Sequence, residues 1–174
     1  MTNNVDLSAE LEDWVRLAGL EVMQGSQAND GRTVIWNKGG EIRYFITVID
    51  GCYVITSSDR MSAEVFHFAA VARSLVEKYL FGRFGGSVRK IRGLQRVRKP
   101  FFPDELRPGY TIGKVFFASR ERDALIDSTG AMVAIAAADR LVELSHYMDT
   151  TVDVITDSFL DPEGGPLFTP LGRQ

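Results

Sequence analysis

The chain has 174 residues, 45 % hydrophobic and 25 % charged, the make-up of one ordinary globular domain around a single core. A formal charge of −3 points neither to nucleic acid nor to a membrane, while one cysteine and two histidines exclude an internal disulfide, a thiolate zinc site and a His-rich metal centre. The longest uncharged apolar run, about eight residues around Ala131–Ala138, falls far short of the roughly twenty that span a bilayer.

Leu7, Leu11, Trp14, Leu17 and Ala18 recur at steps of three and four and predict a first helix. Asp6 or Ser8 can cap its start, and Gly19 sits where a left-handed stop belongs. Glu10, Glu12 and Asp13 occupy the early turns, where the helix dipole favours negative charge. The period then changes to two. Leu20–Met23, Thr33–Trp36 and Glu41–Ile49 are rich in β-branched and aromatic residues, and Asn37-Lys-Gly-Gly40 is a strong turn sequence. Within the third run Ile42, Tyr44, Ile46 and Val48 share one face, and Arg43, Phe45 and Thr47 the other. Asp50-Gly51 signals a two-residue hairpin into the returning strand Cys52–Thr56. An antiparallel meander of about four strands results.

Ser57–Ser62 is a polar loop centred on Asp59-Arg60. Residues 61–84 read either as one helix or as a strand at Val65–Phe68 followed by a helix from about Ala72 to Phe84; the second reading is favoured. Gly85-Gly86 reads as the helix stop, and residues 85–109 as a basic connector in which Pro100, Pro103 and Pro108 forbid a regular element. Tyr110–Ser119, Ala124–Asp127 and Ala131–Ala136 form a second meander. Leu141, Leu144, Met148, Val152, Ile155 and Phe159 make an amphipathic stripe, predicting a last helix of roughly twenty residues. The tail 161–174 holds Pro162, Pro166 and Pro170 and is expected to wrap irregularly around the body. The order is α+β: one domain of antiparallel meanders with N-terminal, central and long C-terminal helices.

The residues do not assemble a catalytic constellation. The only glycine cluster, Gly82–Ser87, lacks the spacings that cradle a dinucleotide or a triphosphate. Cys52 lies inside a strand pattern and reads as a small buried hydrophobe. His67, between Phe66 and Phe68, and His146, one position off the apolar stripe, read as structural hydrogen bonders. Ser145 and His146 point about 100° apart on a helix, and Glu143 with His146 makes one Glu-x-x-His pair where a dimetal bundle needs two. No catalytic, cofactor or metal residue is assigned.

Charge is more informative. Arg83–Lys99 holds seven basic residues and no acid, leaving 13 of the 20 basic residues against all 23 acids elsewhere. The segment reads as a solvated connector balancing an acidic body, or as a nucleic-acid-binding or regulatory module spanning 83–99, although stacking aromatics occur only at its borders. Asp149, Asp153 and Asp157 recur at i, i+4 and i+8, which reads as a solvated face or as an acidic stripe that steers a basic partner. The start, Met1–Asp6, carries an acid where a secretory signal carries Lys or Arg, so the expected compartment is the cytoplasm.

Six stretches carry a resemblance. Leu7-Ser-Ala-Glu-Leu-Glu-Asp-Trp14 with Ala18-Gly19, Gly40-Glu-Ile-Arg-Tyr-Phe45 and Thr56-Ser-Ser-Asp-Arg-Met61 lie in the first half. Glu77-Lys-Tyr-Leu-Phe-Gly-Arg-Phe-Gly85, Leu144-Ser-His-Tyr-Met148 and Ser158-Phe-Leu-Asp-Pro-Glu-Gly164 follow. In order and spacing the chain resembles the actinobacterial immunity-protein family typified by the immunity factor for the necrotizing toxin, an NAD glycohydrolase; the resemblance skips Ser87–Arg107. It implies one immunity domain over residues 1–174: a cytoplasmic antitoxin without enzyme activity or cofactor. Such a protein would bind the catalytic domain of a secreted toxin one-to-one and keep NAD out of its cleft. The resemblance assigns no contact residues. Exposed turns and charges nominate Asn37 and Lys38, which could insert into a cleft or form a plain turn, and Asp59 and Arg60, which could meet the partner or pair with each other. Trp36 is an anchor or a core residue, and Asp149, Asp153 and Asp157 are the steering candidates.

Overall fold

The computed structural model describes residues 4–171. Helix α1 (Ala9–Leu17) starts at Ser8, whose hydroxyl accepts a hydrogen bond from the Leu11 N–H at 3.2 Å. The same hydroxyl donates to Glu77, so the cap also ties α1 to the central helix. Gly19, at φ +84°, ends the helix as its sequence position suggested. Leu11, Trp14 and Val15 are buried, and the Trp14 indole N–H donates to the Phe81 carbonyl at 3.0 Å.

Four strands follow: β1 (Leu20–Met23), β2 (Thr33–Asn37), β3 (Ile42–Ile49) and β4 (Cys52–Asp59). Asp50 and Gly51, both at positive φ, make the hairpin between β3 and β4, and Gly39 and Gly40 do the same between β2 and β3. Strand β5 (Val65–Ala70) precedes the central helix α2 (Arg73–Ile91), which settles the 61–84 ambiguity in favour of strand then helix. A short β6 (Val97–Arg98) leads to β7 (Thr111–Phe117), β8 (Arg120–Ile126) and β9 (Met132–Ala136). The two expected meanders are one eight-stranded sheet, in the order β1-β2-β3-β4-β5-β9-β8-β7, joined where Phe68 pairs with Ala136. Every pair is antiparallel.

The sheet's two faces differ. Ile35, Tyr44, Ile46, Ile55 and Phe68 point into the main core and meet Trp14, Val76, Leu80, Phe84 and Phe159 from the helices. The opposite face carries only a small cluster around Cys52, Val54, Ala69, Ala124 and Ile135, to which no helix contributes among the described residues. Cys52 is buried there, as its strand pattern suggested.

The helices depart from expectation in two places. Gly85-Gly86 does not stop α2, which runs on to Ile91, so the first part of the expected connector is helical. A side chain at Gly85 would collide with the Phe159 ring, and a Cβ at Gly82 would lie 2.5 Å from the Tyr147 ring. These glycines let other helices approach closely; they do not break the helix. The expected twenty-residue C-terminal helix is two helices, α3 (Ala138–Ser145) and α4 (Val152–Leu160). The Thr151 hydroxyl accepts from the Val154 N–H at 3.2 Å and starts α4 afresh, a local bond that competes with a continuous helix. Leu141, Leu144, Ile155 and Phe159 all remain buried, so the apolar stripe survives the break. The tail is irregular except for β10 (Thr169–Pro170), which pairs with β6.

Two buried polar groups hold this packing. Arg89, 1 % exposed, donates to four carbonyls: Gln95 at 2.7 Å, Phe159 at 2.7 Å, Asp161 at 2.5 Å and Pro162 at 3.0 Å. It thus closes the C-terminus of α4, where a cation also meets the negative end of the helix dipole. His67 Nε2 lies 2.5 Å from the Tyr79 hydroxyl, and its ring meets Tyr44 edge-on. Its reading as a structural histidine fits this burial. Burial, then Arg140 and Arg83 nearby, push the imidazole down to about 3, against an ordinary 6.5.

Two predictions follow from these contacts. Gly85→Ala should destabilise by about 1–3 kcal/mol through overpacking, whereas Gly86→Ala, with open space around it, should stabilise α2 by roughly 0.5–1 kcal/mol; urea unfolding measures both. For His67, the unfolded chain takes up a proton below 6.5 that the folded chain refuses until about 3, so stability falls as pH drops through that window. His67→Gln should therefore flatten the fall between about pH 6 and 4 by up to about 1.4 kcal/mol per pH unit, read by urea unfolding at stepped pH.

Candidate functional site

The turns at one end of the sheet lie side by side. Ile42 pairs with Asp59 across β3 and β4, and the Arg60 N–H donates to the Glu41 carbonyl at 2.6 Å, stitching the 37–41 turn to the 59–62 turn. The Asn37 carboxamide oxygen accepts from the Ile42 N–H at 2.9 Å, closing the first turn. In the second, Ser58 donates to the Ser62 carbonyl at 2.7 Å, and the Asp59 N–H to the Ser62 hydroxyl at 3.1 Å. The serines order this loop; Asp59 and Arg60 form no ion pair with each other among the described residues. Arg60 and Met61 adopt φ +49° and +65°, and Met61 is 76 % exposed at the tip.

Trp36 is not a core residue. It is half-buried on the helix-free face, beside a shallow cavity of about 470 Å³ that it lines with Val34, Gly39, Gly40, Arg43 and Phe45. The Arg43 Nε donates to the Gly40 carbonyl at 3.2 Å. The Arg32 guanidinium lies 4.4 Å over the Phe45 ring and is held there by Asp30 at 3.0 Å and Glu64 at 2.8 Å. Trp36, Asn37, Lys38, Asp59 and Arg60 therefore gather at one end, an aromatic ring among polar and charged turn residues of both signs. Val34, Arg43 and Phe45 line the same cavity as Trp36, and sequence alone does not group them with it. Their outward alternation was visible, but the register that sets Trp36 opposite Arg43 was not.

The acidic row is a different place. Asp149 lies in the α3–α4 connection, 4.0 Å from Arg107, and only Asp153 and Asp157 ride on α4. All three are exposed, on the helical layer that covers the other face of the sheet. The continuous stripe expected from their spacing is broken because the helix is broken. Asp153 falls in the first turn of α4, where the dipole favours it.

Four of the seven basic residues of the segment have partners within the fold, and Lys90, Arg92 and Arg96 are exposed. Arg83 donates to the Tyr44 hydroxyl at 3.1 and 3.3 Å, and Arg89 is buried as described. Arg98 grips Glu105 through two bonds of 2.6 and 2.8 Å, which hold that carboxyl down to about 2. Lys99 meets Glu143 at 3.0 Å. Among the described residues, no group of three or more His, Cys, Asp or Glu could hold a metal ion, and no helix is long and apolar enough to cross a membrane.

A family model described as Immunity protein 61 matches residues 14–167. Immunity factor for TNT from Mycobacterium tuberculosis (strain ATCC 25618 / H37Rv) is 64 % identical over 169 residues, covering 97 % of this chain and 96 % of its own. Immunity factor for TNT homolog from Mycobacterium bovis (strain BCG / Pasteur 1173P2) matches to the same extent. A solved structure, Rv3902c from M. tuberculosis, superposes with a TM-score of 0.95 at 63 % identity, covering 98 % of both chains. A match of this breadth leaves one assignment: the chain belongs to the Immunity protein 61 family.

Proposed function

We propose that this chain is the antitoxin of a secreted NAD-glycohydrolase toxin, binding its catalytic domain one-to-one in the cytoplasm and blocking the NAD-binding cleft without chemistry of its own. One observation carries the reading: a relative 64 % identical across nearly the whole chain is named as an immunity factor for TNT, the tuberculosis necrotizing toxin. The geometry supports a plug. The paired turns with Trp36, Asn37, Lys38, Asp59 and Arg60 project from a sheet end braced by strand pairing, so little ordering entropy is lost on docking. Asp149, Asp153 and Asp157, on the other layer, act through their field and not through contact. Mixing the chain with a purified NAD-glycohydrolase toxin domain should give a 1:1 complex and abolish NAD cleavage. Full cleavage at micromolar excess of this chain overturns the reading.

Two variants locate the surfaces. Trp36→Ala should weaken the complex by about 2 kcal/mol, roughly thirtyfold, chiefly through faster dissociation in surface plasmon resonance. Replacing Asp149, Asp153 and Asp157 together by Asn should instead slow association, most visibly at low salt, and leave the dissociation rate unchanged.

A further inference from the structure

Between α2, α3 and the segment 96–101 lies a cleft of about 450 Å³, on the side of the molecule away from Trp36. Its size falls within the ~300–1,000 Å³ of small-ligand sites. Five cations line it, and two are already neutralised: Lys99 by Glu143 and Arg98 by Glu105. The other three are not. Arg83 bonds a neutral hydroxyl, that of Tyr44. Arg140 donates one Nη to the His67 carbonyl at 3.1 Å and makes no ion pair among the described residues. Arg96 is exposed on the opposite wall and likewise makes none.

Asp139 is the one acid on the lining without a cationic partner. Three guanidinium groups against a single carboxylate is a local excess that the chain's overall charge of −3 does not explain. The Arg83 and Arg140 guanidinium groups flank His67: Arg140 bonds its carbonyl, and Arg83 bonds the hydroxyl of Tyr44, whose ring meets the imidazole edge-on. Each retains N–H donors beyond the bonds described, and planar guanidinium forks match the oxygens of a phosphate two at a time. Phe101, 44 % exposed, adds an aromatic surface at the rim.

We propose that this cleft binds a small anion carrying a pyrophosphate group, held by Arg83, Arg96 and Arg140. Two sources share that chemistry, inorganic pyrophosphate and a nucleoside diphosphate, and Phe101 favours the second through stacking on its base. The cleft shares no lining residue with the Trp36 cavity, although Arg83 also lines a pocket with Asn37 and Ile42 beside the first of the paired turns.

Isothermal titration calorimetry on the full chain, with inorganic pyrophosphate and with ADP as probes, tests this. Binding of either at sub-millimolar concentration supports the site; tighter binding of ADP assigns the base to Phe101, and equal binding assigns the phosphates alone. Arg140→Gln and Arg96→Gln should each weaken binding about tenfold, while Arg16→Gln, on α1 and outside the cleft lining, leaves it unchanged. Arg140 also supports the His67 backbone, so a melting curve accompanies that variant; Arg96 is exposed, and its variant keeps the test valid if Arg140→Gln unfolds. Absence of heat with both probes at millimolar concentration overturns the proposal, as does undiminished binding by Arg96→Gln. A short single-stranded oligonucleotide that binds more tightly than either probe, with a steep salt dependence, also overturns it in favour of nucleic acid.

Discussion

The Arg89 guanidinium is the interaction on which the helical layer depends. It leaves α2 near its C-terminal end and meets carbonyls of α4, of the chain just beyond α4 and of the turn after α2. Each of those carbonyls sits at a place where the backbone has run out of helical partners. A single planar cation thus supplies the donors that two chain reversals lack. The close approach of Gly85 to Phe159 is its steric counterpart, because α4 lies near enough for the bonds to form only where α2 lacks a side chain. Leaving those buried carbonyls unbonded would cost roughly 1–3 kcal/mol for each group.

Much of the fold was legible because periodicity reports burial. The change from steps of three and four to steps of two after Gly19 marked the move from α1 to the sheet, and Asn37–Gly40 and Asp50-Gly51 marked its turns. What failed were places where a local signal had a non-local cause. Gly85-Gly86 looks like a helix stop until Phe159, far along the chain, is seen to need the space. Arg89 looked like one charge in a solvated run, because nothing nearby in sequence reveals four waiting carbonyls. The break before α4 was hidden by a stripe that two helices share, although Thr151 is itself a good cap.

The site was legible in the same partial way. Turn residues are exposed by their nature, so Asn37, Lys38, Asp59 and Arg60 could be named singly. That they form one end together required the β3–β4 register, which sequence does not print. Trp36 shows the same limit, since an aromatic in a strand faces core or solvent according to pairing alone. The basic segment changed meaning most. Some of its charges meet internal partners, Arg96 faces a cleft walled by α3, whose Arg140 lies well outside the segment, and Lys90 and Arg92 stay exposed.

The pairing of β5 with β9 has a consequence for biosynthesis. Phe68 finds Ala136 only after α2, the connector and the whole β7–β8 hairpin have emerged from the ribosome. Until then the nascent first half presents β5, which begins with Val65 and Phe66, as an open edge, a template for mispairing with other chains. Only the finished chain therefore presents a sheet in which β5 is paired on both sides.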